Sequence, residues 1–521
     1  MSLARAFSVV SFNTVISRIF GFIRDILMAG ILGASVVSDA FFIALKLPNI
    51  FRRIFGEGAL SIAFLPLYTE FQTSEGKEEA SEFASLTLSN LLLILIPLTL
   101  IGIFLMPYLL KVIAPGYLDD PIQQERTVLF ARLAFPYLLF ISITALFGSL
   151  LNAHKNFVAF SFAPVLFNLT LIGALLLTYF FDIKGMIGEI LSLSVVISGI
   201  LQCGFLYVWL RIEKIQIQII RPKITLKIKR LIKLVIPGII GFGTAQGQIF
   251  VDVIIASFLP YGSISYLYYA DRLNQLPLAI IGIAMSTALL PYLSKAIANK
   301  NVKQAKLYFA KSVEVSLLLV LPAAIALIMI PDMIITVLFQ RGAFSADAAI
   351  ATSQALAAYA IGLPAYILIK CYSNVFYAHQ NTKTPVIITF CVMLLSIGLS
   401  IILIQYIAHV GIALATGLTA WISVRFLAFY AYKKYRYKIE KASWIQIFKL
   451  LLVNGIIVGL LYLFKNIAMQ FEITNLMVGI LVLSILILSI ILIYTMMIVS
   501  FKIFDMNELK VIFKKKKKRV K

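Results

Sequence analysis

Long apolar runs follow one another along almost the whole chain, separated by short polar or charged stretches. A helix needs about 20 mainly apolar residues to cross a bilayer, and runs of that length recur from end to end. Apolar residues make up 61% of the 521 positions and charged residues 13%, whereas soluble domains have roughly half apolar and a quarter charged residues. The pattern therefore excludes an ordinary soluble domain and predicts an all-α polytopic membrane protein.

The apolar runs predict about fourteen membrane-spanning helices. We expect no cleavable signal peptide, so the first helix is retained. The glutamate-rich connection 68–82 is expected to be a loop. The expected helices are 7–32, 36–64, 84–112, 127–152, 156–179, 185–211, 229–258, 263–293, 308–338, 348–378, 384–407, 409–434, 445–464 and 476–500.

The lysines and arginines predict which helix ends face the cytoplasm. Basic clusters at 211–230, 295–306 and 433–441 precede helices 7, 9 and 13, and cytoplasmic connections are enriched in basic residues. Both termini are therefore predicted to be cytoplasmic in a multi-pass membrane protein. In a soluble protein a net charge of +23 would suggest nucleic-acid binding. Here its distribution reflects topology, and no nucleic-acid partner is expected.

Two short motifs repeat along the chain. Pro66 and Pro291 close helices 2 and 8, and 291 − 66 = 225 residues separate them. His154 and His379, each preceded by alanine before helices 5 and 11, have the same separation. A six-helix unit has an even number of spans, so its two copies share one orientation and should enclose a central cavity.

The repeat predicts how the chain is divided. Two six-helix lobes should be joined by a basic cytoplasmic linker, and helices 13 and 14 should be an addition outside the repeat. The predicted regions are 1–211 (N-terminal lobe), 212–228 (linker), 229–434 (C-terminal lobe), 445–500 (helices 13 and 14) and 501–521 (basic cytoplasmic tail).

Charged residues inside the predicted spans are the main functional signal. Asp39, Lys46, Arg53 and Glu57 form one stripe along helix 2 at about 100° per residue. A charged side chain at the bilayer centre costs at least about 2.5 to 3.5 kcal/mol, so the stripe should face protein or water. Helices 1, 2 and 8 together contribute Arg18, Arg24, Lys46, Arg52, Arg53 and Arg272 against Asp25, Asp39, Glu57 and Asp271.

This excess of positive charge predicts an anionic substrate. Guanidinium groups bind phosphate through paired, charge-assisted hydrogen bonds, so an arginine-rich cavity suits a diphosphate. The alternative is a structural network of ion pairs, such as Arg53 with Glu57. Asp252, a lone acid in helix 7, is either a cation or proton site or the hydrogen-bond partner of Gln248 or Tyr269.

We predict no catalytic residue, cofactor or metal site. Cys203, Cys371 and Cys391 lie inside apolar runs without the spacing of a redox or metal motif. The chain also contains no glycine-rich phosphate loop and no nucleophile with a credible base, so enzyme activity is not expected.

Several segments resemble the signature of the MurJ (MviN) family of lipid II flippases. They are Ser17-Arg18-Ile19-Phe20-Gly21-Phe22-Ile23-Arg24-Asp25, Ser38-Asp39-Ala40-Phe41-Phe42, Lys46-Leu47-Pro48-Asn49, Arg52-Arg53, Glu57-Gly58, Tyr269-Ala270-Asp271-Arg272-Leu273 and Lys383-Thr384-Pro385.

The resemblance implies the multidrug/oligosaccharidyl-lipid/polysaccharide exporter fold, with a groove between helices 13 and 14 for a lipid tail. It also implies substrate positions in the cavity, with the arginines meeting a diphosphate. By this resemblance the substrate residues are Arg18, Arg24, Asp39, Arg53 and Arg272, and we take Asp25, Lys46, Arg52, Glu57 and Asp271 as supporting cavity charges.

The expected function is to flip lipid II, the undecaprenyl-diphosphate-linked disaccharide-pentapeptide, to the outer leaflet by alternating access for peptidoglycan synthesis. We expect a monomer in the bacterial cytoplasmic (inner) membrane, with cell-wall synthesis proteins as candidate partners. The alternatives are a flippase for another polyprenyl-diphosphate glycan, such as an O-antigen or capsule unit, a drug/cation antiporter, which would favour an acidic cavity, and a membrane scaffold.

The resemblance also raises the question of a coupling ion. A sodium site between helices 7 and 11 belongs to the family, and Asp252 could supply its helix 7 ligand. Helix 11, at 384–407, contains no Asp, Glu or Asn. Sodium coupling of that form is therefore not expected, and proton or membrane-potential drive stays open.

Overall fold

The computed structural model describes residues 3–51, 60–469, 476–501 and 503. These residues form helices joined by short connections and contain no β-strand, which confirms the predicted all-α fold class. The helices are α1 Leu3–Leu32, α2 Val36–Phe51, α3 Leu60–Ser74, α4 Lys77–Phe104, α5 Met106–Ile113, α6 Pro121–Ala134, α7 Tyr137–Ala153, α8 Val158–Phe180, α9 Ile187–Ile212, α10 Leu226–Ala256, α11 Ser263–Pro277, α12 Ile283–Ala298, α13 Val302–Met329, α14 Pro331–Phe339, α15 Ala346–Ala378, α16 Lys383–Tyr435, α17 Lys441–Met469 and α18 Leu476–Ser500.

The helices are long and apolar enough for a multi-pass membrane protein. In the part of the chain that the structure describes, nine helical stretches have the length and composition of a membrane span. Some predicted spans are merged in this count, as in α16, and the span predicted at 36–64 crosses residues 52–59, outside the described residues. The number fourteen therefore stays a prediction.

The break predicted between helices 11 and 12 is confirmed inside α16. Ile407 and Ala408 have non-helical backbone angles, and Ala408 has a φ of +45°. They separate the two segments predicted at 384–407 and 409–434.

The loop expected at 68–82 is wrong, because most of it is helical. α3 continues to Ser74, and α4 begins at Lys77. Gly76 reverses the chain between them with a φ of +100°, a conformation that glycine adopts without steric cost. Glutamate, glutamine and lysine are good helix formers, so both helices continue beyond the apolar run into a polar hairpin.

The chain folds into two compact units, which are described separately. Unit 1 contains Met1–Tyr268 and Phe339–Ala348, and unit 2 contains Tyr269–Leu338 and Ala349–Lys521. In unit 1, α1 packs along α8, α8 packs along α9, and α10 contacts α3, α4 and α5. In unit 2, α17 packs against α13 and α18. The predicted lobe boundaries stay predictions.

The packing of unit 1 fixes the helices that carry the charged residues. Phe64, Tyr68 and Phe83 form an aromatic stack between α3 and α4, with ring centroids 5.4 to 5.6 Å apart. Leu146 and Leu150 of α7 belong to the same buried cluster. The α1–α8 contact places Arg24 beside α8, inside the unit.

Candidate functional site

Arg24 and Asp25 form a buried ion pair on α1. Their side chains are only 6% and 4% exposed, and Nη2 of Arg24 lies 2.7 Å from Oδ1 of Asp25. The Nε atom of Arg24 donates to the same oxygen at 3.1 Å. Because an unpaired charge is costly away from water, the pairing explains how both residues are kept inside a largely apolar unit.

Two further side chains complete this pair. Nη1 of Arg24 donates to Oδ1 of Asn168 at 2.9 Å, and the amide nitrogen of Asn168 donates to the carbonyl oxygen of Ser17 at 2.9 Å. Nη2 of Arg24 also donates to the hydroxyl of Tyr268 at 3.3 Å, and that hydroxyl donates to Asp25 at 3.1 Å. The ring of Tyr268 stacks on Phe42 with centroids 3.9 Å apart. We call Arg24, Asp25, Asn168 and Tyr268 the arginine cluster.

Asn168 and Tyr268 were not predicted from the sequence. Asn168 is the one amide side chain in the apolar run of α8, which is a signal that could have been used, since a polar residue inside a span needs a partner. Tyr268 directly precedes the segment that carried the family resemblance.

Asp39 of α2 lies in a different environment, where its carboxylate contacts the first turn of α11. It is 1% exposed and accepts hydrogen bonds from the backbone nitrogens of Gly262 at 2.7 Å and Ser265 at 2.8 Å. The hydroxyl of Ser265 adds a third at 2.5 Å. The first N–H groups of a helix have no partner within the helix and carry partial positive charge, so Asp39 caps α11.

The other predicted residues lie apart from these two groups. Arg18 is exposed on α1, and Lys46 is half-buried on α2. In unit 2, Arg272 is half-buried on α11, and Asp271 accepts a hydrogen bond from Gln275. Three predicted residues lie outside the described residues: Arg52, Arg53 and Glu57.

Asp252 of helix α10 has a hydrogen-bond partner. Nε2 of Gln248, one turn earlier, donates to Oδ1 of Asp252 at 2.7 Å. This is one of the two interpretations that the sequence allowed. Its role as a cation or proton site stays a prediction.

Two connections dock on helix ends of unit 1 in a reciprocal way. The α5–α6 connection contacts the end of α10, where the nitrogen of Gly116 donates to Oγ of Ser257 at 3.0 Å. The α14–α15 connection contacts the end of α1, where the nitrogen of Ala343 donates to the carbonyl oxygen of Gly30 at 2.8 Å. We call these the two docked connections.

Each docked connection depends on a glycine. A Cβ atom at Gly116 would overlap the carbonyl group of Ser257, and one at Gly342 would overlap the carbonyl oxygen of Gly30, each closer than 3.0 Å. The two glycines are 342 − 116 = 226 residues apart, which is the spacing of the internal repeat to within one residue. In terms of the predicted repeat, each copy contributes a connection that docks on the first helix of the other copy.

A side-chain pair reinforces the first docked connection. The hydroxyl of Tyr261 donates to the carboxylate of Asp120, which also caps α6 by accepting from the nitrogen of Gln123 at 3.1 Å. The hydroxyl of Tyr261 and the backbone of α6 lower the pKa of Asp120 from its ordinary value of 3.8. Asp120 is therefore charged at neutral pH and holds the Tyr261 hydroxyl.

A bundle of long apolar helices with an internal repeat and a buried arginine–aspartate pair is typical of a membrane transporter. Its fold is that of the multidrug/oligosaccharidyl-lipid/polysaccharide exporters. The structure is similar to an inward-facing multidrug resistance MATE family transporter of the MOP superfamily, with a TM-score of 0.67 over 81% of this chain and 97% of that chain. At 15% identity, this likeness concerns the fold alone.

The particular family follows from nearer relatives. The family model for the lipid II flippase MurJ matches residues 28–486. The chain is 36% identical over 475 residues to a probable lipid II flippase MurJ of Rickettsia prowazekii (strain Madrid E), covering 90% of this chain and 92% of that protein. It is 38% identical to a protein of the same description from Rhizobium tropici, covering 81% of this chain and 80% of that protein.

A solved structure points the same way. The lipid II flippase MurJ in an inward closed conformation is 28% identical, with a TM-score of 0.78 over 94% of this chain and 98% of that chain. The chain belongs to the MurJ family of lipid II flippases. The resemblance drawn from the sequence and the expected function as a lipid II flippase are confirmed.

Proposed function

We propose that the chain moves lipid II from the inner to the outer leaflet of the cytoplasmic membrane by alternating access, with its cavity arginines binding the diphosphate. The observation that carries this proposal is the buried arginine cluster. An arginine held inside the membrane-spanning bundle by one carboxylate is a site where an anionic ligand can compete for the same donors.

The geometry suggests how binding is transmitted. Most N–H groups of Arg24 are engaged by Asp25, Asn168 and Tyr268, so a diphosphate must take the place of Asp25. Asp25 and Arg24 both bond the hydroxyl of Tyr268, and Tyr268 lies on α11. Binding of the diphosphate therefore changes the hydrogen bonds of α11.

The docked connections and the Asp39 cap form the proposed outer closure. With both termini cytoplasmic, the α1–α2, α5–α6, α10–α11 and α14–α15 connections all lie on the outer side. Unit 1 brings these connections together at Gly30, Asp39, Gly116 and Gly262. A closed outer side is what an inward conformation requires, and a relative was solved in an inward closed conformation.

The remaining parts of the proposal follow the predicted regions. Lobes at 1–211 and 229–434 rock about the cavity, and the undecaprenyl tail stays in the groove of helices 13 and 14. Arg18, Arg53 and Arg272 join Arg24 on the diphosphate, and Asp39 acts through the outer closure. The protein works as a monomer in the inner membrane.

Complementation of a conditional lipid II flippase mutant tests the proposal. The wild-type gene should restore growth, and Arg24→Ala and Arg272→Ala should fail although their membrane levels match the wild type. Arg132→Ala is the matched control, because Arg132 is exposed on α6 and donates to the carbonyl oxygen of Ile103 at 3.1 Å, away from the arginine cluster and the docked connections. Rescue by both cavity variants would contradict the arginine roles.

Flipping in vesicles separates the substrate alternatives. Purified protein in liposomes should expose the headgroup of lipid II at the outer leaflet, and an undecaprenyl-diphosphate O-antigen unit should move more slowly. Equal movement of both lipids would mean that the site recognises the diphosphate alone. Movement of the O-antigen unit only would overturn the assignment of lipid II as substrate.

A further inference from the structure

The connection between α9 and α10 is held on the surface of unit 1 by hydrogen bonds to α4. Residues 213–225 lie along α4, and we call them the strap. The nitrogens of Gln218 and Ile220 donate to the hydroxyls of Ser85 at 3.1 Å and Ser89 at 2.9 Å. Two extended residues span about 6.6 Å, and the four residues from Ser85 to Ser89 rise about 6 Å along the helix. The spacing of the two strap nitrogens therefore matches that of the two hydroxyls.

The strap has one buried side. Ile215 and Ile217 are 5% and 8% exposed and belong to the core of unit 1. The amide of Asn90 also holds the carbonyl oxygen of Lys223 at 3.1 Å, and the Thr225 hydroxyl caps α10 by accepting from Ile228. These contacts fix the strap in position, so the same residues always face outward.

That outward side combines apolar and basic residues. The exposed fractions of Ile219, Ile224 and Leu226 are 74%, 66% and 83%. Basic residues alternate with them along the strap and continue into the first turn of α10. The interfacial face consists of six exposed residues: Ile219, Arg221, Lys223, Ile224, Leu226 and Lys229.

The polar hairpin of α3 and α4 neutralises other basic residues nearby. Lys227 lies 2.5 Å from Glu75 and 2.7 Å from Glu79, and Arg230 lies 2.7 Å from Glu70. Among the described residues, no acidic side chain forms an ion pair with Arg221, Lys223 or Lys229. Positive charge beside large exposed aliphatic side chains is typical of segments that lie at a membrane surface.

We propose that the interfacial face binds the headgroups of anionic phospholipids, with Ile219, Ile224 and Leu226 inserted at the acyl boundary. The strap adjoins two membrane-spanning helices, which keeps it at the membrane surface. Each basic residue near an anionic surface strengthens binding by about fivefold. The face thereby fixes the level of α10 in the membrane, a role separate from substrate binding.

Fluorescence quenching in vesicles tests this proposal on the full chain. A cysteine replaces Ile219 in a protein whose Cys203, Cys371 and Cys391 are alanine, and it carries an environment-sensitive dye. The vesicles contain phosphatidylcholine with increasing fractions of phosphatidylglycerol whose acyl chains are brominated. Quenching should rise with the phosphatidylglycerol fraction and fall when potassium chloride is added, because salt screens the headgroup charge.

Matched variants show whether the basic residues of the interfacial face bind the phospholipid headgroups. In R221Q/K223Q/K229Q the phosphatidylglycerol fraction for half-maximal quenching should rise severalfold. K295Q/K300Q/K303Q removes the same charge from another basic connection and should leave that fraction unchanged. Equal shifts in both triple variants would mean a net-charge effect and overturn the proposal.

The wild type alone also provides a test. Quenching that depends neither on the phosphatidylglycerol fraction nor on salt would overturn the proposal and favour an acidic protein as the partner of this face. These measurements do not depend on lipid II transport, so the proposed function and this inference can fail separately.

Discussion

The nitrogen of Ala343 donates a hydrogen bond of 2.8 Å to the carbonyl oxygen of Gly30, joining the α14–α15 connection to the end of α1. The neighbouring Gly342 is so close to the same carbonyl that no side chain fits between them. Gly116 has the corresponding place in the first copy of the repeat. The two docked connections should therefore loosen together if either glycine acquires a side chain.

Alanine at Gly116 or Gly342 should loosen the proposed outer closure. Overlap with backbone cannot be relieved by a side-chain rotation, and overpacking costs typically about 1 to 3 kcal/mol. The readout is labelling of a cysteine at Ile264, which is 4% exposed, by an impermeant maleimide added outside. Labelling should become severalfold faster in each variant.

Two glycines provide the controls for this experiment. Gly398 has open space around its Cβ position, and Gly76 combines open space with a φ of +100°. Gly398→Ala should leave labelling unchanged. Gly76→Ala introduces backbone strain but no steric overlap, so it shows the effect of strain alone on labelling. An increase in Gly398→Ala equal to that in Gly116→Ala would argue against the docked connections.

Asp39→Asn should weaken the cap on α11. A charged acceptor of three hydrogen bonds is replaced by a neutral amide, whose NH₂ group faces donors, and charged hydrogen bonds are stronger by roughly 1 to 2 kcal/mol. The expected result is faster labelling at Ile264 and reduced complementation at normal membrane levels. Ser38→Ala is a milder comparison, since it removes the 2.8 Å bond between the Ser38 and Ser265 hydroxyls and the local bonds of Ser38 with the backbone of Ser35, but leaves the Asp39 carboxylate in place. Unchanged labelling in Asp39→Asn would mean that the cap does not support the closure.

Asn168→Ala should reduce transport less than Arg24→Ala does. The variant removes one acceptor of the Arg24 guanidinium and the link to Ser17, but leaves the ion pair with Asp25 in place. The apparent affinity for lipid II in vesicles should fall more than the maximal flipping rate, because Asn168 orients Arg24. Thr170→Ala on the same helix is the control, since the Thr170 hydroxyl bonds only the carbonyl oxygen of Leu166 in its own helix. A loss as large as that of Arg24→Ala would show that Asn168 has a role of its own.

Periodicity and charge predict where the helices of this chain lie better than they predict which side chains contact one another. Apolar runs locate α8, α9 and α18 within a few residues, because burial in a bilayer requires long apolar stretches. They fail at the α3–α4 hairpin, where polar helices continue beyond the membrane region. The sequence also identifies Arg24 and Asp39 as unusual, but contacts across 144 and 226 residues, to Asn168 and Ser265, depend on how the helices pack and have no local signal.

His379 should make the stability of unit 2 depend on pH. Its ring stacks on Tyr435 with centroids 4.0 Å apart, and Nε2 is buried without a hydrogen-bond partner among the described residues. Burial lowers the pKa of His379 from its ordinary value of 6.5, so the folded state binds a proton less readily than the unfolded state. The contribution of neutral His379 to the free energy of unfolding is therefore complete above that ordinary pKa. It is lost as the pH falls through that value towards the lowered pKa of the folded protein.

Thermal unfolding in detergent between about pH 7 and 5 checks this prediction. The unfolding midpoint should fall with pH, and it should fall less in His379→Phe, which keeps the stacking but cannot titrate. An unchanged slope in His379→Phe would assign the pH dependence to other groups.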